Sequence, residues 1–116
     1  MFTFICYDRC GTCKKAEKWL QEHQLEYAKR PIKEENPTAA ELQKWHEASG
    51  LPIKRFFNTS GQLYREMGIK DRIPDMTDSE IYDLLATDGM LVKRPILLAG
   101  DQVLVGFKEK EWEGLL

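Results

Sequence analysis

"CYDRCGTCKKAEKWL", residues 6–20, holds all three cysteines of the chain and runs straight into a helical pattern. Upstream, "FTFICY" (2–7) alternates Phe2, Phe4 and Cys6 on one face with Thr3, Ile5 and Tyr7 on the other, the mark of a strand rich in β-branched and aromatic residues. Downstream, Ala16, Trp19, Leu20 and His23 recur at i, i+3, i+4 and i+7 while Lys14, Lys15, Lys18 and Gln21 face outward, which predicts a helix over 12–24. Cys10 therefore falls at or just before a helix N-terminus. Unpaired backbone N–H groups and the positive end of the helix dipole favour thiolate over thiol there. Arg9 and Lys14 add positive charge. Cys13 follows one helical turn later, within reach of Cys10 for an internal disulfide, so the pair suits a nucleophile (Cys10) and a resolving thiol (Cys13).

Two other readings compete. Structural zinc takes four ligands, usually as two pairs, whereas this chain offers one CxxC, Cys6 and the scattered His23 and His46. No metal site is expected. A CxxC that merely packs in a core is the other alternative, since buried free cysteine is common. Cys6, alternating inward with Phe2 and Phe4, reads as core filler, and both histidines read as partly buried and satisfied. Composition points the same way as the redox reading. The N-terminus lacks the basic start and small-residue cleavage site of an export signal, which implies a cytoplasmic, reducing compartment where three cysteines are not a disulfide framework. A net charge of −2 gives no general attraction to nucleic acid or anionic membrane, and no apolar run approaches a membrane span.

The rest of the chain supplies the frame. "LEYAKRPI" (25–32) is a second strand whose alternation slips near Ala28 and whose Pro31 suits only an edge or an end. "TAAE" (38–41) and "TDSE" (77–80) are capping boxes, the first opening a helix that buries Leu42 and Trp45 and stops at Gly50, the second one that buries Ile81, Leu84 and Leu85 and stops at Gly89. Between them lie apolar turns at Ile53, Phe56, Phe57 and at Leu63, Tyr64, Met67. "PILLAGDQVLVGF" (95–107) is a hairpin around Gly100-Asp101, and "KEKEWEGLL" a short amphipathic helix. The order β-α-β, helical block, β-β-α gives an α/β domain spanning 1–116, with a four-stranded mixed sheet in the thioredoxin arrangement and a helical insertion over about 36–90.

That arrangement gives "LVKRPILL" a role. A thioredoxin-type sheet places a cis-proline opposite its active cysteine, and X–Pro is the bond where cis is accessible. Arg94–Pro95 is expected to be cis against Cys10, with Arg94 directing a guanidinium at any anion that nears the thiolate. An ordinary trans strand opener is the alternative for Pro95.

"YDRCGTCKKA", the "RPI" before the hairpin and "VGFKEKEW" after it resemble the arsenate reductase–Spx family of thioredoxin-fold proteins over essentially the whole chain, most of all a short Spx-like group marked by "FFNTSG" and "LLATDGMLVKRP". The resemblance implies Cys10 as nucleophile, Cys13 as resolving thiol and Arg94 as oxyanion holder, with Gly11, Thr12 and Pro95 shaping the site. It implies glutathione, glutaredoxin or thioredoxin as electron donor or redox partner; no prosthetic group is expected, since the sequence offers no dinucleotide or phosphate-cradling glycine motif. Its two branches imply different tasks. In the arsenate reductase branch the anion pocket uses two further arginines, whose positions fall on Asn58 and Phe107 here, with Lys54, Arg55 or Lys108 as the nearby cations. In the Spx branch the implied partner is the α subunit of RNA polymerase, with no direct nucleic-acid contact. A thiol–disulfide oxidoreductase is the leading expectation, a polymerase-binding redox regulator and an arsenate reductase the alternatives.

Overall fold

The structure, a computed structural model, describes residues 2–116. Apolar residues on both faces of the first strand, β1 (Phe2–Cys6), require that it be covered twice, and the chain does so. Strand β1 leads through a short turn into α1 (Gly11–Glu22), which returns to β2 (Tyr27–Pro31), parallel to β1 with Phe2 opposite Tyr27 and Cys6 opposite Pro31. Helices α2 (Ala39–Ser49), α3 (Gln62–Glu66), α4 (Ile69–Arg72) and α5 (Asp78–Leu85), with 3-10 turns before α3, between α4 and α5 and after α5, follow before the hairpin β3 (Ile96–Ala99) and β4 (Gln102–Val105) and the closing helix α6 (Glu109–Trp112). The sheet order is β2-β1-β3-β4, with β3 antiparallel to both β1 and β4. This is the thioredoxin-like mixed sheet that the element order predicts, with the helical block between β2 and β3.

The two faces carry separate cores. Phe4, Cys6 and Leu97 on one face meet Cys13, Ala16, Trp19 and Leu20 of α1 and Trp112 of α6. Trp112 is wholly buried, edge-on to Trp19 at 5.8 Å, and its indole N–H donates to the Gly106 carbonyl at 3.2 Å. Ile5, Ile96 and Val105 on the other face pack on the helical block through Ile32, Leu42, Trp45, Ile81 and Leu85. Burying β1 on both faces explains why its hydrophobicity is continuous from Phe4 to Cys6 rather than alternating.

Local chemistry sets the boundaries. Both capping boxes form, Thr38 with Glu41 and Thr77 with Glu80. Helix α1 begins at Gly11 and stops by Glu22, slightly earlier than the periodicity predicts, because Gln24 turns left-handed (φ 56°) and Leu25 N–H donates back to the Leu20 carbonyl. His23 is therefore exposed, its ring tilted against Trp19 at 4.3 Å, rather than partly buried. His46 is half-buried and satisfied, its Nδ1 being 2.6 Å from the Tyr82 hydroxyl. The apolar run around Leu63 becomes two short helices separated by Gly68 in the left-handed region.

Two contacts lock the helical block to the sheet. Arg30, from β2, makes a bidentate pair with Glu41 (2.6 and 2.9 Å) and lies over the Trp45 ring. The guanidinium, reinforced by the Thr38 N–H against the opposing effect of partial burial, holds the Glu41 carboxyl at about 2. Gly89 sits against the Ile32 carbonyl with no room for a methyl.

Gly89→Ala is expected to lose about 1–3 kcal/mol in denaturant titration, because backbone must move to admit the new carbon. Glu41 has a lower pKa folded than unfolded, so its contribution is fully present above the ordinary carboxyl value of about 4.5 and disappears as pH falls toward about 2. Arg30→Met is therefore expected to unfold earlier than the native chain at neutral pH, with the gap closing across that acid window.

Candidate active site

The turn between β1 and α1 fixes the first thiol. Cys10 N–H donates to the Tyr7 carbonyl (3.0 Å), and Cys10 itself is the extended N-cap of α1 (φ −91°, ψ 120°), with no acidic residue in the first helical turn. Its sulfur is half-buried, which opposes ionisation. The Cys13 N–H, the Cys13 thiol, the Arg94 guanidinium and the Thr12 N–H outweigh that, and the Cys10 pKa is lowered from 9.0. Cys13, one turn on, is buried, and desolvation pushes its thiol up to about 12 despite a bond from Tyr7 N–H to its sulfur at 3.4 Å. Cys6 is also buried and pushed up to about 11, again chiefly by desolvation. All three cysteines are free. One accessible, activated thiol thus stands beside two buried, protonated ones.

The other predicted residues converge here. Arg94–Pro95 is cis, and the Pro95 carbonyl accepts from Gly106 N–H at 2.7 Å, which anchors this turn to the far end of the hairpin. Arg94 stacks on the Tyr7 ring at 5.0 Å while its Nε and Nη1, both shielded from solvent, have no hydrogen-bond partner within the chain. Gly11 is exposed with open space around its Cα, so it leaves the approach to Cys10 unobstructed. Thr12 is exposed and contributes its backbone N–H. Of the cations expected near the nucleophile, Arg94 acts on Cys10, whereas Lys14 turns to the Cys13 side.

The positions where the resembling arginines would stand are filled differently. Asn58 borders a cleft of about 240 Å³ together with Arg94, and its amide donates to the Met90 carbonyl at 3.5 Å. Phe107 packs edge-on to Trp112 at 4.8 Å and contributes to the core rather than to an anion site. Lys54, Arg55 and Lys93 border a separate pocket. Among the described residues, no cluster of three or more His, Cys, Asp or Glu has the arrangement of a metal site, and no helix is long and apolar enough to cross a membrane.

One part of the site escapes sequence reading. Behind Cys13 lies a cavity of about 220 Å³ bordered by Cys6, Tyr7, Asp8, Lys14, Glu17 and Lys29. Cys6, expected only to fill core, is part of its wall. Glu17 is four residues after Cys13 and so on the same face of α1, a spacing visible in the sequence; that Lys29 meets it from β2 depends on the β1–β2 register.

A thioredoxin-like sheet with an activated cysteine at the N-cap of its first helix, a buried partner one turn on and a cis-proline following the arginine that acts on the first thiol defines the class of thiol-bearing thioredoxin-fold domains. Within it, this chain belongs to the ArsC family, whose model matches residues 6–115. It is similar to an ArsC family related protein from Bacteroides fragilis, whose crystal structure superposes with a TM-score of 0.97 at 50% identity over 99% of this chain and 97% of that one. It is 50% identical over 111 residues to the uncharacterized protein YusI of Bacillus subtilis, covering 96% of this chain and 94% of YusI. The regulatory protein MgsR of the same species is 30% identical over 109 residues, 94% of this chain and 85% of MgsR.

Replacing Arg94 by Met removes the positive charge nearest Cys10. The midpoint of Cys10 alkylation against pH is expected to move upward in Arg94→Met, with the fold and the Cys13 environment unchanged in thermal unfolding.

Proposed function

We propose that this protein is a thiol–disulfide oxidoreductase working through Cys10 and Cys13. The observation that carries the reading is the asymmetry of the pair. Cys10 is accessible and activated at a helix N-cap, while Cys13 is buried and held as a thiol until it is needed. In that sequence Cys10 thiolate attacks one sulfur of an oxidised substrate and expels the other as a thiolate. Cys13 then attacks Cys10 Sγ, releasing the second half of the substrate and leaving a Cys10–Cys13 disulfide. The electrons come back from a thiol donor, for which glutathione, glutaredoxin and thioredoxin are the candidates. Arg94, whose charge acts on Cys10 and which borders the neighbouring cleft, suits an electron-rich group on the substrate, with cis-Pro95 next to it in the chain.

The same dithiol serves a second reading, a redox-controlled regulator, supported by the 30% identity to a protein named as regulatory. There the internal disulfide is the signal rather than an intermediate, and the partner is the polymerase α subunit. Arsenate reduction is the weaker reading. A doubly charged oxyanion would meet Arg94 but find Asn58 and a core-packed Phe107 where two more guanidiniums are expected. Each missing charge-assisted contact is worth roughly 1.5–3 kcal/mol.

Mild oxidation of the reduced protein is expected to remove two hydrogens, mapped by mass spectrometry to Cys10–Cys13, with Cys6 unmodified. Alkylation of Cys10 is expected to titrate below the ordinary thiol range. A normal thiol titration together with no internal disulfide would sink the proposal. Turnover of disulfides with glutathione or glutaredoxin, against redox-dependent capture of the polymerase α C-terminal domain, separates enzyme from regulator.

A further inference from the structure

The dithiol reading leaves one chemical problem. Cys13 must lose a proton to attack Cys10, yet burial pushes its thiol up to about 12. The cavity behind it reaches a carboxylate that the chemistry described so far does not use. Glu17 lies one helical turn after Cys13 on α1, and both side chains border the same space of about 220 Å³. That volume has room for a short chain of waters, and its wall supplies polar partners for them. Glu17 is not a loose surface acid. Its Oε2 accepts from the Tyr27 hydroxyl at 2.8 Å and its Oε1 from Lys29 Nζ at 3.2 Å, and only 24% of its side chain is exposed. Lys29 in turn bridges to Asp8 at 3.2 Å. The groups facing the carboxylate are therefore Tyr27 and Lys29 from β2, Asp8 from the turn after β1, Lys14 and Cys13 from its own helix and Cys6 from β1, with Gln21 reaching it through the Tyr27 hydroxyl.

From this geometry we infer that Glu17 is the proton acceptor for the resolving thiol, acting through water in the cavity behind Cys13. The inference rests on the dithiol reading and concerns its second step. With Cys10 joined to half of a substrate disulfide, the Cys13 proton passes through water to the Glu17 carboxylate. The Cys13 electron pair forms the Cys13–Cys10 bond while the Cys10–substrate sulfur bond breaks. The leaving thiolate takes that electron pair, and Glu17 returns its proton through water to the leaving thiolate or to solvent. The cysteine pair is oxidised by two electrons and the substrate disulfide is reduced by two. Lys29 and Tyr27 are positioning residues. They hold the carboxylate at the wall of the space that Cys13 also borders.

The test uses the reduced full-length protein and dithiobis-nitrobenzoate, a disulfide whose released thiolate is coloured. Attack by Cys10 releases one equivalent, and resolution by Cys13 releases a second, so stopped-flow mixing reads the two steps as separate phases. In Glu17→Gln the second phase is expected to slow roughly 100-fold near neutral pH, the size of a lost general base, with the first phase within about twofold of the native chain. The deficit should shrink as pH rises, because hydroxide replaces the missing base. Glu17→Ala should show the same deficit, and formate, small enough to enter the cavity, should restore the rate; a purely structural defect would not respond. A second phase of native rate in Glu17→Gln overturns the inference. So does slowing by one factor at every pH with no rescue of Glu17→Ala by formate. Release of only one equivalent by the native protein overturns the dithiol reading instead, which keeps the two failures apart.

Discussion

The active end of the molecule depends on how α1 is attached to β1. Two backbone groups of Tyr7 do most of this: its carbonyl receives the Cys10 N–H, and its own N–H points at the Cys13 sulfur. Together they turn the chain out of the sheet and start the helix with a cysteine at its N-cap. The same turn sets Cys13 against the sheet, in the core formed with Phe4, Cys6 and Trp112. The opposite behaviour of the two thiols is thus a consequence of one turn. The first meets N–H donors and a guanidinium at the open end of the helix, and the second, three residues and so nearly one full turn further on, is sunk in the core at the wall of a half-open pocket.

What the sequence made legible were features written over short distances. The alternation of "FTFICY", the apolar stripe of Ala16, Trp19 and Leu20, the two capping boxes and the Gly100-Asp101 turn each specify their element within a few residues, and each element is present. The cis bond at Arg94–Pro95 was legible only because the element order had already identified the sheet it belongs to. What escaped depends on meetings between distant segments. Lys29 reads as one charge on a weakly patterned strand, and only the register of β2 against β1 carries it to Asp8 and Glu17. Cys6 reads as core and is core, but nothing local reveals that its neighbours leave a cavity. His23 follows the helical stripe in spacing yet lies where Gln24 has already ended the helix.

The helical block between β2 and β3 does more than cover the second face of the sheet. Helix α2 packs on α5, and both rest on Ile5, Ile96 and Val105, while Arg30 and Gly89 tie the block to β2 and to the segment just after it. Asn58 hydrogen-bonds toward Met90, so the block also forms one wall of the cleft that Arg94 borders. Changes in this region can therefore reshape the cleft beside Arg94 while the dithiol itself stays as it is.

The outer rim of β2 has a further consequence, for how copies of the chain treat one another. A sheet margin offers unpaired N–H and C=O groups on which a neighbouring molecule could add a strand. Strand β2 is only five residues long, ends in a proline that has no N–H to give, and carries Lys29 and Arg30 in succession, so that each side of the ribbon bears a cation engaged with a carboxylate. A second copy docking there would have to displace those ion pairs to gain a ladder of few bonds. The margin is thus protected against edge-to-edge aggregation by the same residues that position Glu17 and pair with Glu41 of α2, and substitutions made there to study the chemistry should also be watched for solubility.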